Sequence, residues 1–281
     1  MPSESIQSLV ATQRDASTLA DSPVRIVAAW ASPPNAQLLV MLGESTKEAP
    51  AALRVIRHRL EQKRAEGMWT FAVTSARDGE GKSTFATQLA LVLSESQRAR
   101  VLLVESNFQR PSIATLLGFR VPDGYAFSAQ LVRKMRGSLE PWCVVGLGPA
   151  LHVLAESASE AGFPETLHST HFQNAIEFLG RGYDFLVVDA PSILSSGDAN
   201  VVENAVDGVI VVARSEATKG ADVREAIKQL GERKAIGMVV WDVARRGDRG
   251  RAKRARDRDP AVAEEARARA SSSDRGTGKA R

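Results

Sequence analysis

The chain has 281 residues, 43% of them hydrophobic, which suits one large domain with a substantial core. No apolar run approaches the roughly 20 residues that a membrane-spanning helix needs. The N-terminus carries no basic stretch ahead of an apolar one, and Cys143 has no second cysteine to pair with; together these predict a reducing, cytoplasmic setting.

In chain order, residues 1–47 are poor in regular pattern. The stretch "DSPVRIVAAWASPPNAQ" holds three prolines and predicts a linker with one short extended piece at most. From residue 48 the pattern becomes regular. Leu53, Ile56 and Leu60 fall at helical spacing. "MWTFAVTS" predicts a short buried strand, and Phe85, Leu89, Val92 and Leu93 share one face of the helix that follows. "RVLLVES" (100–106) is a continuous apolar run of the kind found in parallel strands covered on both sides. Phe172, Ile176 and Leu179 mark another helix, and "YDFLVVDAP" and "DGVIVVAR" two more buried strands. Val223, Ile227 and Leu230 align on a further helix, and "IGMVVWDV" predicts the last strand. Alternating strands and helices imply an α/β fold: a mostly parallel, doubly wound sheet with ligands at the carboxyl ends of its strands. The expected domain spans 48–243.

The remainder, 244–281, is a basic tail. From Arg245 onward it has thirteen Lys and Arg against six Asp and Glu, a net +7, which leaves −3 for the rest of a chain that totals +4. It contains no Leu, Ile, Phe, Trp or Tyr, so it cannot bury apolar surface and is expected to be disordered. A solvated end is the plain reading of such a block; DNA, an anionic lipid surface or an acidic partner is the alternative.

The chemistry concentrates at three points. Ala76-Arg77-Asp78-Gly79-Glu80-Gly81-Lys82-Ser83 has the spacing of a phosphate-binding P-loop, with Ala76 where the general pattern has its first glycine. The glycines permit tight turns and let backbone amides approach phosphate oxygens, and the helix beginning near Lys82 adds its positive end. Asp78, Gly79, Glu80, Gly81, Lys82, Ser83 and Thr84 are the expected nucleotide-binding residues, with Lys82 on a solvent-facing loop reaching the β- and γ-phosphates and Ser83 ligating Mg²⁺. Asp189 closes an apolar strand and is placed to hold the same metal shell in the manner of a Walker B residue. Asp198 is read as a helix cap. His168 and His171 could share a helix face, but no third ligand is near in sequence. Tyr183, Trp30, Trp69 and Trp142 read as packing residues.

The third point is "VLLVESNFQRP". The run from the P-loop through this segment, "YDFLVVDAP", "DGVIVVAR" and "GMVVWDV" resembles the bacterial tyrosine kinases of capsule and exopolysaccharide synthesis (BY-kinases), a Min/Par-like branch of the P-loop ATPases. The resemblance covers about 48–243 and is strongest at the P-loop, the Arg110-Pro111 step and Asp189. It implies Mg-ATP as cofactor, catalytic roles at Lys82, Glu105 and Asp189, and a membrane-bound chain-length partner at the inner face of the membrane. It also implies homo-oligomer contacts through Arg54 and Arg57. The departures are specific. The family's two aspartates on the second strand correspond to Glu105 and Asn107. Ala51 stands for the Glu that precedes the paired arginines. Trp241, followed by Asp242, stands for the Asn that reads adenine, which leaves Asp242 as the candidate base contact. The tyrosine-rich end is missing, and the chain has only Tyr125 and Tyr183. These departures predict nucleotide binding with slow hydrolysis and weak tyrosine phosphorylation, or a purely regulatory nucleotide-binding role. A Min/Par-type positioning ATPase is the remaining alternative.

Overall fold

The computed structural model describes residues 24–27, 30–31, 48–157, 163–231 and 234–241. The basic tail, Asp242 and most of the first 47 residues lie outside them.

Eight strands form one sheet: β1 (Val24–Val27), β3 (Thr70–Ser75), β4 (Val101–Glu105), β6 (Trp142–Gly146), β7 (Leu151–Leu154), β8 (Phe185–Asp189), β9 (Gly208–Arg214) and β10 (Ala235–Trp241). Their order is β1-β6-β7-β4-β8-β3-β9-β10. Every neighbouring pair is parallel except β6 with β7. A separate antiparallel pair joins β2 (Trp30–Ala31) to β5 (Phe119–Arg120).

The central strands β3, β4 and β8 are buried along their whole length, as parallel strands covered on both faces must be. Alternate side chains feed two apolar layers. On one face Phe71, Val73, Leu103 and Val187 pack against Leu53 and Leu60 of α1 (Glu48–Ala65), Phe85, Leu89 and Leu93 of α2 (Lys82–Ser94), and Ile113 and Leu117 of α3 (Ile113–Leu117). On the other, Ala72, Leu102, Val104 and Val188 meet Phe127 and Leu131 of α4 (Phe127–Met135) and Phe172, Ile176 and Leu179 of α5 (Thr170–Gly180). Val202 of α6 (Asp198–Asn204) and Leu230 of α7 (Gly220–Leu230) complete that layer. The sheet is therefore doubly wound, as the alternation of elements predicted.

Two regions differ from the reading of the sequence. The stretch with three prolines contributes β1, which pairs with β6 at the edge of the sheet, and the two-residue β2. The sheet thus begins before residue 48. Between 111 and 171, where no element was expected, lie α3, β5, α4, β6 and β7. Trp142 is buried in β6 and stacks edge-on against Phe127 at 5.9 Å, in agreement with a packing role. No described helix is long and apolar enough to cross a membrane.

Candidate nucleotide site

The site assembles at the carboxyl ends of β3, β4 and β8, where the topology predicts a ligand. The turn from Ala76 to Gly81 connects β3 to α2. Gly79 (φ +80°) and Gly81 (φ +92°) occupy left-handed conformations that a side chain resists. Ala76 has no such requirement, since it is not among the positive-φ residues and its methyl packs into the core, which explains why the first glycine of the pattern is dispensable here. The Phe85 amide donates to the Gly81 carbonyl at 2.9 Å and starts the helix. Side chains hold the turn: Ser75 Oγ donates to the Arg77 carbonyl (2.6 Å), the Arg77 amide donates to Glu80 Oε2 (3.0 Å), and Arg77 pairs with Asp222 of α7 (2.7 Å).

Lys82 is the first residue of α2 and is buried; it does not sit on a solvent-facing loop. Ser83 and Thr84 are half-buried in the first turn of the same helix. Glu80 is spent on the Arg77 amide, so within the turn it acts on the backbone.

Asp189 ends β8, fully buried, and neither of its carboxylate oxygens has a hydrogen-bond partner. Burial pushes its pKa up to about 6, against the Lys82 ammonium and the nearby Ser83 hydroxyl, which favour the charged form. The Ser83 hydroxyl is close enough to act on the charge without closing a bond of ordinary geometry. A buried, unpartnered carboxylate is costly unless something pairs with it. A divalent cation shared with the Ser83 hydroxyl is the group these donors fit, hard oxygen ligands beside a cradle for phosphate.

Glu105, register partner of Asp189 on the adjacent strand, is engaged elsewhere. Its Oε1 accepts from the amides of Ser112 and Ile113 (2.9 Å) at the start of α3, and its Oε2 from the Glu156 amide (3.0 Å). Burial, followed by the Asp189 charge, raises its pKa to about 8 against these three donors. Asn107 donates from Nδ2 to the Arg110 carbonyl at 3.3 Å and shapes its own loop.

Arg54 and Arg57 both reach Glu95, the residue that caps the far end of α2. Arg57 also donates to the Val92 carbonyl (3.3 Å). Asp198 is the first helical residue of α6, with Gly197 at the cap position; its carboxylate takes His168 Nε2 at 2.7 Å instead of capping the helix. His168 and His171 lie on separate elements, and among the described residues no group of three or more His, Cys, Asp and Glu is placed to hold a metal ion. Trp241 ends β10 beside the turn: its Cδ1 would stand 3.7 Å from a Cβ on Gly81, and its ring lies edge-on to Phe85 at 6.0 Å. The candidate base contact Asp242 falls just outside the described residues.

Two contacts at the site were not anticipated. Asp78 Oδ2 pairs with Arg110 Nη1 (2.8 Å), and Asp78 Oδ1 accepts from Ser192 Oγ (2.6 Å). The basic residue beside Pro111, in a loop leaving a strand end, was the available signal.

No protein-family model matches the chain. The tyrosine-protein kinase YwqD of Bacillus subtilis (strain 168) is 29% identical over 163 residues, 57% of this chain and 67% of that protein. The tyrosine-protein kinase ptk of Acinetobacter johnsonii is 25% identical over 189 residues, 62% of this chain but only 25% of that longer protein. The kinase domain of VpsO superposes with a TM-score of 0.58 at 26% identity, covering 69% of this chain and 95% of that one. In sequence and in fold, the chain is similar to bacterial tyrosine-protein kinases.

Proposed function

We propose that this chain binds Mg-ATP at the turn between β3 and α2 and serves capsular or exopolysaccharide synthesis and export. Its partner would be a membrane-bound chain-length protein that recruits it to the inner face of the membrane. The observation that carries the nucleotide reading is the unpartnered, buried carboxylate of Asp189 beside Lys82 and Ser83. In this reading the amides of Gly79 to Lys82 and the Lys82 ammonium hold the phosphates, while Ser83 and Asp189 hold Mg²⁺, which neutralises phosphate charge when bound. Thr84 supports the first helical turn, and Asp78 and Glu80 order the turn from either side.

Transfer to a tyrosine is expected to be slow. Phosphoryl transfer rests on positioning and charge stabilisation, and the carboxylate at 105 is committed to three backbone amides. That observation also favours a second reading, a nucleotide-binding regulator with little transfer chemistry. Arg54 and Arg57 are the candidate oligomer contact, and in the single chain both are occupied by Glu95.

Titration with labelled ATP, with and without Mg²⁺, tests the nucleotide reading; metal-independent or absent binding contradicts it. A γ-phosphate transfer assay with the partner's cytoplasmic segment present separates the two readings. Brisk tyrosine phosphorylation eliminates the regulator, and transfer indistinguishable from background eliminates the kinase.

A further inference from the structure

The Asp78–Arg110 pair sits where three loops meet. Asp78 belongs to the turn after β3, Arg110 to the loop after β4, and Ser192 to the loop after β8. Both oxygens of Asp78 are taken, one by Arg110 at 2.8 Å and one by Ser192 at 2.6 Å. The pair borders a cleft of about 200 Å³ that Asn107, Ser195 and Asp198 also line.

This arrangement is easily exchanged. The Arg110 side chain is 72% exposed and that of Asp78 37%, and ion pairs so open to water hold weakly. The contact uses one nitrogen of a guanidinium that offers five N–H donors in a planar fork, a shape that matches a phosphate better than a single carboxylate oxygen.

The strand order gives the cleft a direction. The turn follows β3. Two strands to one side, β10 ends in Trp241, whose ring lies beside Gly81. Two strands to the other side, β4 leads to Arg110, with Asp189 between them on β8. An aromatic flank suits a base and a cationic flank suits a phosphate. A nucleotide laid across the turn therefore presents its terminal phosphate to the β4 flank.

We propose that Arg110 is a specificity-determining residue for the terminal phosphate, held by Asp78 until a nucleoside triphosphate competes for it. This rests on the nucleotide reading given above. A diphosphate ends short of the β4 flank and leaves the pair closed. A triphosphate draws Arg110 off Asp78, so the site distinguishes ATP from ADP through one side-chain exchange. Because Arg110 and Ser192 come from different loops, the exchange also loosens the tie between the loops after β4 and β8.

The test is equilibrium binding of fluorescent Mg-ATP and Mg-ADP analogues to the full chain. Arg110→Ala is expected to weaken Mg-ATP about tenfold, the scale of one lost charge-assisted bond, and to leave Mg-ADP unchanged. Arg110→Lys should fall between. Asp78→Asn is expected to strengthen Mg-ATP up to about fivefold, the scale of a released surface ion pair, and to lose that selective gain in the Asp78→Asn, Arg110→Ala double variant. An equal loss for both nucleotides in Arg110→Ala, or no loss for either, overturns the proposal and leaves the nucleotide site standing. Wild-type protein that binds neither nucleotide overturns both.

Discussion

Glu105 and Asp189 face each other in register on adjacent parallel strands, both fully buried, yet one carboxyl accepts three backbone amides and the other accepts none. Burial raises the pKa of both, and at Glu105 the neighbouring Asp189 charge adds to it. The longer side chain at 105 reaches the first amides of α3, which Ser112 leaves without a side-chain cap. The extra methylene thus converts a strand-end carboxylate into a brace between β4, α3 and the segment after β7.

The first prediction follows from that brace. Glu105→Asp withdraws the carboxylate from the Ser112, Ile113 and Glu156 amides, and each buried donor left unpaired costs about 1–3 kcal/mol. The variant is expected to lose on the order of 2 kcal/mol or more in denaturant unfolding. Glu105→Gln keeps an acceptor for the α3 amides but turns an NH₂ group towards one of the donors, and should lose less. An Asp variant as stable as wild type would remove the brace and return Glu105 to the list of catalytic candidates.

The second prediction concerns Lys82. Because the residue is buried, truncation to Ala removes packing as well as charge, so Lys82→Met is the cleaner change. It is expected to weaken Mg-ATP on the order of a hundredfold, as charge-assisted phosphate bonds are lost, while the far-UV spectrum stays the same. Unchanged affinity in a folded Met variant would mean that the phosphates lie elsewhere.

Much of this was legible beforehand, and the reasons divide cleanly. The central strands read as apolar runs because both of their faces are covered, and the turn from Ala76 to Ser83 read as a cradle because two of its glycines need positive φ. The elements between 111 and 171 did not, because α3 and α4 are short and β6 and β7 carry a cysteine, a histidine and a tryptophan among their apolar residues. β1 was masked by the prolines around it. At the site, types and spacing located Lys82, Ser83 and Asp189. They could not show that Glu105 spends its oxygens on amides distant in sequence, that Arg110 meets Asp78, or that Arg54 and Arg57 share Glu95. Those are long-range pairings that the fold alone creates.

A third prediction addresses the basic tail. Removing 245–281 is expected to leave Mg-ATP affinity unchanged, since every residue assigned to phosphate or metal precedes it. Any binding to DNA or to vesicles with anionic lipid should disappear with it and, in the full chain, weaken steeply between 50 and 200 mM salt, roughly the range over which phosphate contacts are screened. Full-length protein that binds neither at low salt would reduce the tail to a solvated end.

The fourth prediction uses a buried pair away from the site. His152 Nδ1 and Tyr183 Oη lie 2.8 Å apart, with the rings edge-on at 5.5 Å. Burial, helped by the Arg100 charge, lowers the His152 pKa to about 4, and burial raises that of Tyr183. The neutral imidazole therefore accepts the phenol proton at Nδ1. In the unfolded chain His152 titrates near 6.5. Between those values the unfolded state binds the proton and the folded state does not, so stability is lost as pH falls from about 6.5 to about 4 and is level above and below. The full span corresponds to on the order of 3 kcal/mol. Glu105 and Asp189 titrate in the opposite sense: their raised pKa values make stability decline as pH rises from about 4.5 to about 8 and from about 3.8 to about 6. These contributions must be separated from that of His152 by difference. Unfolding free energies of wild type and His152→Gln, measured from pH 4 to pH 8, share the Glu105 and Asp189 contributions, and their difference isolates His152. Wild type is expected to lose its advantage over the variant on acidification through that window, and parallel curves would show that His152 carries no such linkage.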